Sequence, residues 1–310
     1  MRRPLLLTLA ATITLTSLTA AEAQGLLRER LRQRMAERAQ KAEAGAPAAR
    51  AAATIAYGSD PLQVLDFWPA AGVKSPAPLI VFVHGGGWQR GTKDNATGRW
   101  KPAHYPAEGY AFASINYRLV PEATVEQQAA DVAAALKALL ARADKLGIDR
   151  RRVVLMGHSA GAQLVALVGT DERYLRAAGL SFGDVAGVIP IDGAAYDVPA
   201  QLRQGPQVMQ KVYAQAFGTD PARQRALSPT AQAAGPNAPR FLLLHVQRSD
   251  GIAQAKELET ALKAGGSTVE RQDFPGNGLA GHMEINRSLG DPAYAATPVV
   301  DDWLKRVFAG

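Results

Sequence analysis

The stretch Val153-Val154-Leu155-Met156-Gly157-His158-Ser159-Ala160-Gly161-Ala162-Gln163-Leu164-Val165 decides how the rest of the chain is read. It opens with four apolar residues in a row, the pattern of a strand covered on both faces, and closes with a helical run of small and apolar residues. Between them Gly157-His158-Ser159-Ala160-Gly161 matches G-x-S-x-G. A serine on a tight strand-to-helix turn projects its hydroxyl at the edge of a sheet, and small flanking residues let neighbouring segments approach. The helix that starts there aims its first N–H groups at the same spot. The five-residue pattern alone arises by chance in many chains, and its setting between strand and helix gives it weight. A serine hydroxyl is a weak nucleophile until a base takes its proton, so the stretch calls for a histidine and a carboxylate from elsewhere.

Outward from this turn, apolar runs at Gln63–Phe67, Leu79–His84, Ala111–Asn116, Val153–Met156, Val185–Ile191, Phe241–Val246 and Thr268–Phe274 read as strands. Helical spacing marks Val125–Leu146, Ala160–Val168, Ile252–Ala264 and Pro298–Phe308. Strands alternating with helices predict an α/β fold with a mostly parallel central sheet and helices on both faces. Right-handed crossovers then gather the loops after the strand C-termini along one edge. The segment from Asp197 to Pro239 breaks the alternation, with a helical piece around Val208–Phe217. An insertion there overhangs the same edge, as a lid or as a plain connection.

A second motif, His84-Gly85-Gly86-Gly87-Trp88, ends the strand Leu79–His84. Three glycines bring backbone N–H groups close to a substrate with no side chains in the way. Neither a lysine at P-loop spacing nor a G-x-G-x-x-G opening a helix is found here, which argues against a phosphate cradle and for an oxyanion loop.

Bulk properties bound the rest. The chain has 310 residues, net charge +7 and no cysteine, so neither a disulfide nor a lipidated cysteine holds it. Arg2 and Arg3, the apolar stretch Leu5–Leu18 and Ala21-Glu22-Ala23 read as a signal peptide over residues 1–23, cleaved to leave Gln24. Export to the periplasm or beyond follows. Residues 24–53 read as a basic helix, Leu26–Glu43, and an Ala/Pro/Gly linker; residues 54–310 form the α/β domain. From Gln24 to Arg50 seven basic residues face three acidic ones, so the basic excess sits largely in this segment and gives no reason to expect nucleic acid. No internal apolar run reaches the roughly 20 residues of a membrane span, and no stable membrane insertion is expected once the leader is gone. No metal-ligand cluster is visible, and neither metal nor organic cofactor is expected.

From about Thr54 to Phe308 the chain resembles the α/β-hydrolase esterases of the hormone-sensitive-lipase and feruloyl/acetyl-esterase-like (BD-FAE-like) groups. The resemblance rests on the two motifs together with Leu65-Asp66-Phe67-Trp68-Pro69, Asn116-Tyr117-Arg118-Leu119, Asp131 before a helical Ala-Ala-Ala-Leu, and Gly281-His282. It implies the α/β-hydrolase fold and hydrolysis through an acyl-enzyme, with Ser159 as nucleophile and the N–H groups of Gly86, Gly87 and Ala160 as the oxyanion hole. Of five histidines, His282 stands where that fold carries its base, in the glycine-rich loop Pro275–Gly281 before the final helix. His84 braces the glycine loop, and His158 points away from the serine. The resemblance places the acid after the strand Phe241–Val246, which selects Asp250; Asp192 and Asp197 read as structural, and Asp273 lies inside a strand. Here the loop reads Asp250-Gly251-Ile252-Ala253, where the family often has Asp-x-x-Val-Pro. Trp88 and Tyr196 are candidate pocket residues. The implied substrate is a small-molecule or polysaccharide-linked ester such as acetyl or feruloyl. An aryl-formamidase-like amide hydrolase, and a non-catalytic binding module on the same fold, are the alternatives.

Overall fold

The computed structural model describes residues 49–73 and 76–309. The signal peptide at 1–23 and the helix Leu26–Glu43 lie outside the described residues. Eight strands form one sheet: β1 Ala53–Ala56, β2 Val64–Trp68, β3 Ala77–Val83, β4 Ala111–Ile115, β5 Ile148–His158, β6 Gly187–Ile191, β7 Arg240–Gln247 and β8 Thr268–Asn277. Their order is β1-β2-β4-β3-β5-β6-β7-β8. β1 pairs antiparallel with β2 and β2 antiparallel with β4; every other pairing is parallel. The seven strands read from apolar runs are all present. β1 is the addition: a four-residue edge strand whose residues alternate between partly covered and exposed.

The inner strands β3 and β6 and the second half of β5 are buried along their length because both faces of the sheet are covered there, whereas the edge strand β8 alternates polar and apolar residues. Leu79, Val81 and Val83 of β3 join one core with Val125, Val132 and Leu136 of the helix Val125–Leu140 and Leu164 and Val168 of the helix Ala160–Thr170. Ile80 and Phe82, on the opposite face, join Tyr105 of the helix Lys101–Ala107 and Trp303, Leu304 and Val307 of the helix Ala296–Ala309. Each such fully buried side chain contributes roughly 1.5–3 kcal/mol of hydrophobic stabilisation. Thr124 starts the helix Val125–Leu140 with a reciprocal capping box to Gln127, which fixes where the chain leaves the β4 edge.

The sheet order reverses direction at β3: the chain passes outward to β4 and returns across β3 to β5. A crevice outside the strand C-termini at such a switch point is where open α/β sheets bind ligands. Both motifs open there, the glycine loop after β3 and Ser159 after β5. Between Asp197 and Pro239 the insertion folds into the helices Val198–Gln204, Gln210–Phe217, Pro221–Ala226 and Pro229–Gln232. It packs onto the glycine loop so closely that a Cβ added to Gly87 would come 2.9 Å from Val212 Cγ1. The last strand runs on to Asn277 and is followed by a helix, Gly278–Ser288, so His282 stands on a helix rather than in a loop.

Candidate active site

Ser159 occupies a backbone conformation that side-chain-bearing residues rarely adopt, φ 56° and ψ −117°, at the end of β5. Such strain costs about 1–3 kcal/mol and persists only where the surroundings impose it. Here the Ser159 N–H donates to the Ile191 carbonyl at the end of β6 (3.0 Å), and its carbonyl accepts from Ala162 N–H (3.0 Å). Gly161 is required by close approach, since a Cβ there would lie 2.1 Å from the Val83 carbonyl oxygen.

The helix Gly278–Ser288 brings His282 to this turn, with Nε2 3.0 Å from Ser159 Oγ. On the other side of the ring, Nδ1 lies 2.5 Å from Asp192 Oδ2. Asp192 follows directly on β6, fully buried and with φ 44°. Its N–H donates to the Leu244 carbonyl (2.7 Å), and its Oδ1 accepts from Val246 N–H (3.1 Å). Burial pushes the carboxyl up. The hydrogen bond from His282, the nearby Arg248 cation, the His282 charge and the Val246 N–H outweigh burial and bring it down to about 2. An ionised carboxylate can only accept, so the Nδ1 proton belongs on the ring, leaving Nε2 with a lone pair toward Ser159.

The structure corrects the carboxylate assigned from the sequence: Asp192, not Asp250, meets His282. The helix after β7 begins at Ser249, which turns Asp250 toward the insertion. There its Oδ2 accepts from Gln201 Nε2 (3.2 Å) and its Oδ1 lies 3.6 Å from Arg248 Nε. The side chain that does reach the histidine from this junction is Arg248, the residue after β7, whose Nη1 lies 2.9 Å from His282 Nδ1 and 3.4 Å from Asp192 Oδ2. Asp192 was legible as a carboxylate closing an apolar strand beside the serine-bearing strand. Its conformation and its distance to the histidine were not. Asp197 caps the helix Val198–Gln204 by accepting from Ala200 N–H (2.8 Å), a structural role.

The two aromatic residues assigned to a pocket are also corrected, because both are core. Trp88 is 1% exposed. Its indole N–H donates to Gln163 Oε1 (3.0 Å) and its ring meets Phe217 edge-on at 4.8 Å, which ties the glycine loop to the serine-bearing helix and to the insertion. Tyr196 is 2% exposed, packed against Gly193.

The glycine loop is braced from behind. His84 stacks on Tyr117 at 4.3 Å, and the Tyr117 hydroxyl donates to the His84 carbonyl (2.9 Å). Burial lowers the His84 imidazole to about 4, so it is a neutral strut. His158 points away from the serine; its Nε2–H donates to the His282 carbonyl (2.9 Å), and burial, then the neighbouring His282, hold it neutral. Gly86 has φ +128°, and a Cβ there would lie 1.9 Å from the Arg90 carbonyl oxygen. Among the described residues the N–H groups of Gly86, Gly87 and Ala160 donate to no partner within the chain. Buried or semi-buried N–H groups without partners are uncommon, and these belong to the two loops that flank the serine. Among the described residues no group of three His, Asp or Glu side chains is placed to hold a metal ion.

Residues 65–254, more than half of the chain, match the BD-FAE family. Esterase LipC of Mycobacterium tuberculosis is 32% identical over 255 residues, covering 78% of this chain and 62% of its own length. The chain thus spans less than two thirds of that relative. Esterase B from Lactobacillus rhamnosis superposes with a TM-score of 0.71 at 22% identity, over 94% of this chain and 96% of its own. A carbohydrate esterase from gut microbiota superposes with a TM-score of 0.67 at 19% identity, over 84% and 98%. At these identities the structural likeness is one of fold. The chain belongs to the BD-FAE family and has the α/β-hydrolase fold.

Proposed function

We propose that the protein is a serine carboxylic-ester hydrolase that works through an acyl-enzyme. The observation that carries this reading is the line Ser159 Oγ, His282 Nε2 and Nδ1, Asp192 Oδ2, closed at 3.0 and 2.5 Å. His282 Nε2 takes the hydroxyl proton as Ser159 Oγ bonds to the acyl carbon, and the carbonyl π electrons move onto oxygen. That oxyanion accepts from the N–H groups of Gly86, Gly87 and Ala160. Collapse breaks the acyl–oxygen bond, and the alcohol leaves with the proton from Nε2. Water then repeats the sequence: its proton goes to Nε2, its oxygen to the acyl carbon, and Ser159 departs reprotonated as the acid is released. Asp192 keeps Nδ1 protonated and offsets the imidazolium charge in both halves.

Substrates are small esters or polysaccharide-linked esters such as acetyl or feruloyl groups, a reading supported by membership of the BD-FAE family. The exposed Leu279 and Met283, on the helix that carries His282, and Val208 on the insertion offer apolar contact to an acyl or aryl group. Export through the leader at 1–23 suits a polymeric substrate, and sequencing the mature N-terminus for Gln24 tests it. Hydrolysis of p-nitrophenyl acetate by the wild type, with kcat reduced about 10⁵- to 10⁶-fold in Ser159→Ala, is the expected result. A folded wild type without Ser159-dependent turnover would overturn the reading. Acetylated xylan, methyl ferulate and p-nitrophenyl esters of increasing acyl length then separate the ester classes.

A further inference from the structure

Arg248 is a cation placed against the base of a serine hydrolase, where the resemblance had led us to expect a carboxylate. Its side chain is 14% exposed, and the guanidinium faces four groups. Nη1 lies 2.9 Å from His282 Nδ1 and 3.4 Å from Asp192 Oδ2, Nη2 donates to the Gly193 carbonyl (3.2 Å), and Nε lies 3.6 Å from Asp250 Oδ1. Its contact with His282 cannot be a hydrogen bond in the working tautomer. With the proton on Nδ1 directed at Asp192, that nitrogen has no lone pair left for an arginine N–H. What remains is a positive charge held at the ring edge and shared with the carboxylate.

We infer that Arg248 is a positioning residue for the Ser159–His282–Asp192 line, fixing the Asp192 carboxylate against Nδ1 and opposing build-up of imidazolium charge before substrate arrives. This rests on the reading of Ser159 as nucleophile and His282 as base. The groups facing His282 are Ser159 from the end of β5, the neutral ring of His158 (centroids 4.5 Å apart), Asp192 just after β6 and Arg248 just after β7. Asp192 alone favours a protonated ring, and an acid–base pair of that kind gives up its free base as pH falls. Arg248 works against that protonation while leaving the Nδ1–H to Asp192 bond in place. The guanidinium is itself held by the Gly193 carbonyl, and the Asp192 carboxylate by Val246 N–H, so the two charges keep fixed places beside the ring.

Removing a cation beside the imidazole makes the ring easier to protonate, so the inactive form appears at higher pH. In Arg248→Gln the acid limb of kcat/KM for p-nitrophenyl acetate, followed by pH-stat, should move up by about one pH unit, the order expected for a charge a few ångströms away. Arg248→Lys, which keeps the charge, should leave the limb within a few tenths of its wild-type position. A merely structural role would lower the plateau of both variants and leave the limb in place. An acid limb unmoved in a folded Arg248→Gln overturns the inference, as does a limb displaced equally in the lysine variant. Should the glutamine variant fail to fold because buried Asp192 loses its counter-charge, the comparison of Asp192→Asn with Asp192→Asn/Arg248→Gln, which removes both charges together, decides: an acid limb higher by about one pH unit in the double variant supports the inference, and equal limbs sink it. Ser159→Ala run in parallel separates the two levels, because an unmoved limb with Ser159-dependent turnover leaves the hydrolase reading standing.

Discussion

β6 and β7 end side by side at the same edge of the sheet, paired in parallel through Val188 with Phe241 and Ile191 with Leu244, yet they deliver opposite charges to one histidine. β6 stops at Ile191, and the next residue turns into the left-handed region, which swings the Asp192 carboxylate under His282. β7 runs on to Gln247, and the residues after it enter a helix at Ser249, so Arg248 reaches the imidazole and Asp250 is turned away. Asp192 stitches the two ends together, its N–H on Leu244 and its Oδ1 on Val246 N–H. The place of a loop in the topology therefore does not choose the acid. One backbone dihedral after the strand does, because it decides which side chain comes within hydrogen-bond distance.

The largest effect should come from breaking the β6 side. Asp192→Asn presents an amide that can donate toward Nδ1 and so favours the wrong tautomer, and kcat should fall about 10³- to 10⁴-fold with KM little changed. Asp250→Asn, three residues past the end of β7, should stay within about threefold of wild type. Kinetics of the two variants side by side, with circular dichroism to confirm folding, check the comparison. The reverse ranking would mean that the carboxylate after β7 moves to the histidine in the working enzyme.

A smaller effect separates the same two ends in stability. Burial pushes the Asp192 carboxyl up, but the His282 and Arg248 contacts outweigh it and leave it near 2 in the folded protein, against about 3.9 when unfolded. A depressed carboxylate contributes stability that is present above about pH 4 and lost as pH falls toward 2, here on the order of 2–3 kcal/mol. Denaturant unfolding at pH 7 and at acid pH should show that loss in the wild type and in Asp250→Asn. In Asp192→Asn the drop should be smaller by about that amount, and an equal drop in all three proteins would refute it.

Why the sequence disclosed one end of this arrangement and not the other has a physical basis. Ser159 was legible because steric need leaves a written trace: Gly161 stands where any Cβ would strike the Val83 carbonyl. The inner strands were legible because two covered faces demand nearly unbroken apolar runs, whereas β1, four residues on a half-covered edge, leaves no such run. His282 could be picked out from its place late in the chain, although the helix around it could not. Asp192 and Asp250 both follow apolar strands within a few residues, so nothing in their local sequence ranks them. Trp88 and Tyr196 look the same in sequence whether they line a pocket or fill a core; Gln163 and Phe217 decide for Trp88, and both are remote in the chain.

The smallest effect concerns what Asp250 does instead. Gln201 Nε2 donates to Asp250 Oδ2 (3.2 Å) and to Tyr213 Oη (3.0 Å), while Gln201 Oε1 accepts from Gln254 Nε2 (2.9 Å). The start of the helix after β7 is thereby fastened to two helices of the insertion, and the insertion in turn packs on Gly87. Asp250→Asn keeps an oxygen for Gln201 but loses the charge facing Arg248, so unfolding free energy should fall by only about 0.5–1.5 kcal/mol. Gln201→Leu, which strips the hub of these three bonds and of the one its Oε1 accepts from Ala195 N–H (3.4 Å), should cost more than Asp250→Asn and leave the acid limb of the rate profile in place, since no charge near His282 changes. If Asp250→Asn instead lowered turnover beyond tenfold, a double-mutant cycle with Arg248→Gln would locate the cause. A loss that disappears in the Arg248→Gln background would run through the guanidinium, and one that persists would run through the insertion and the glycine loop beneath it.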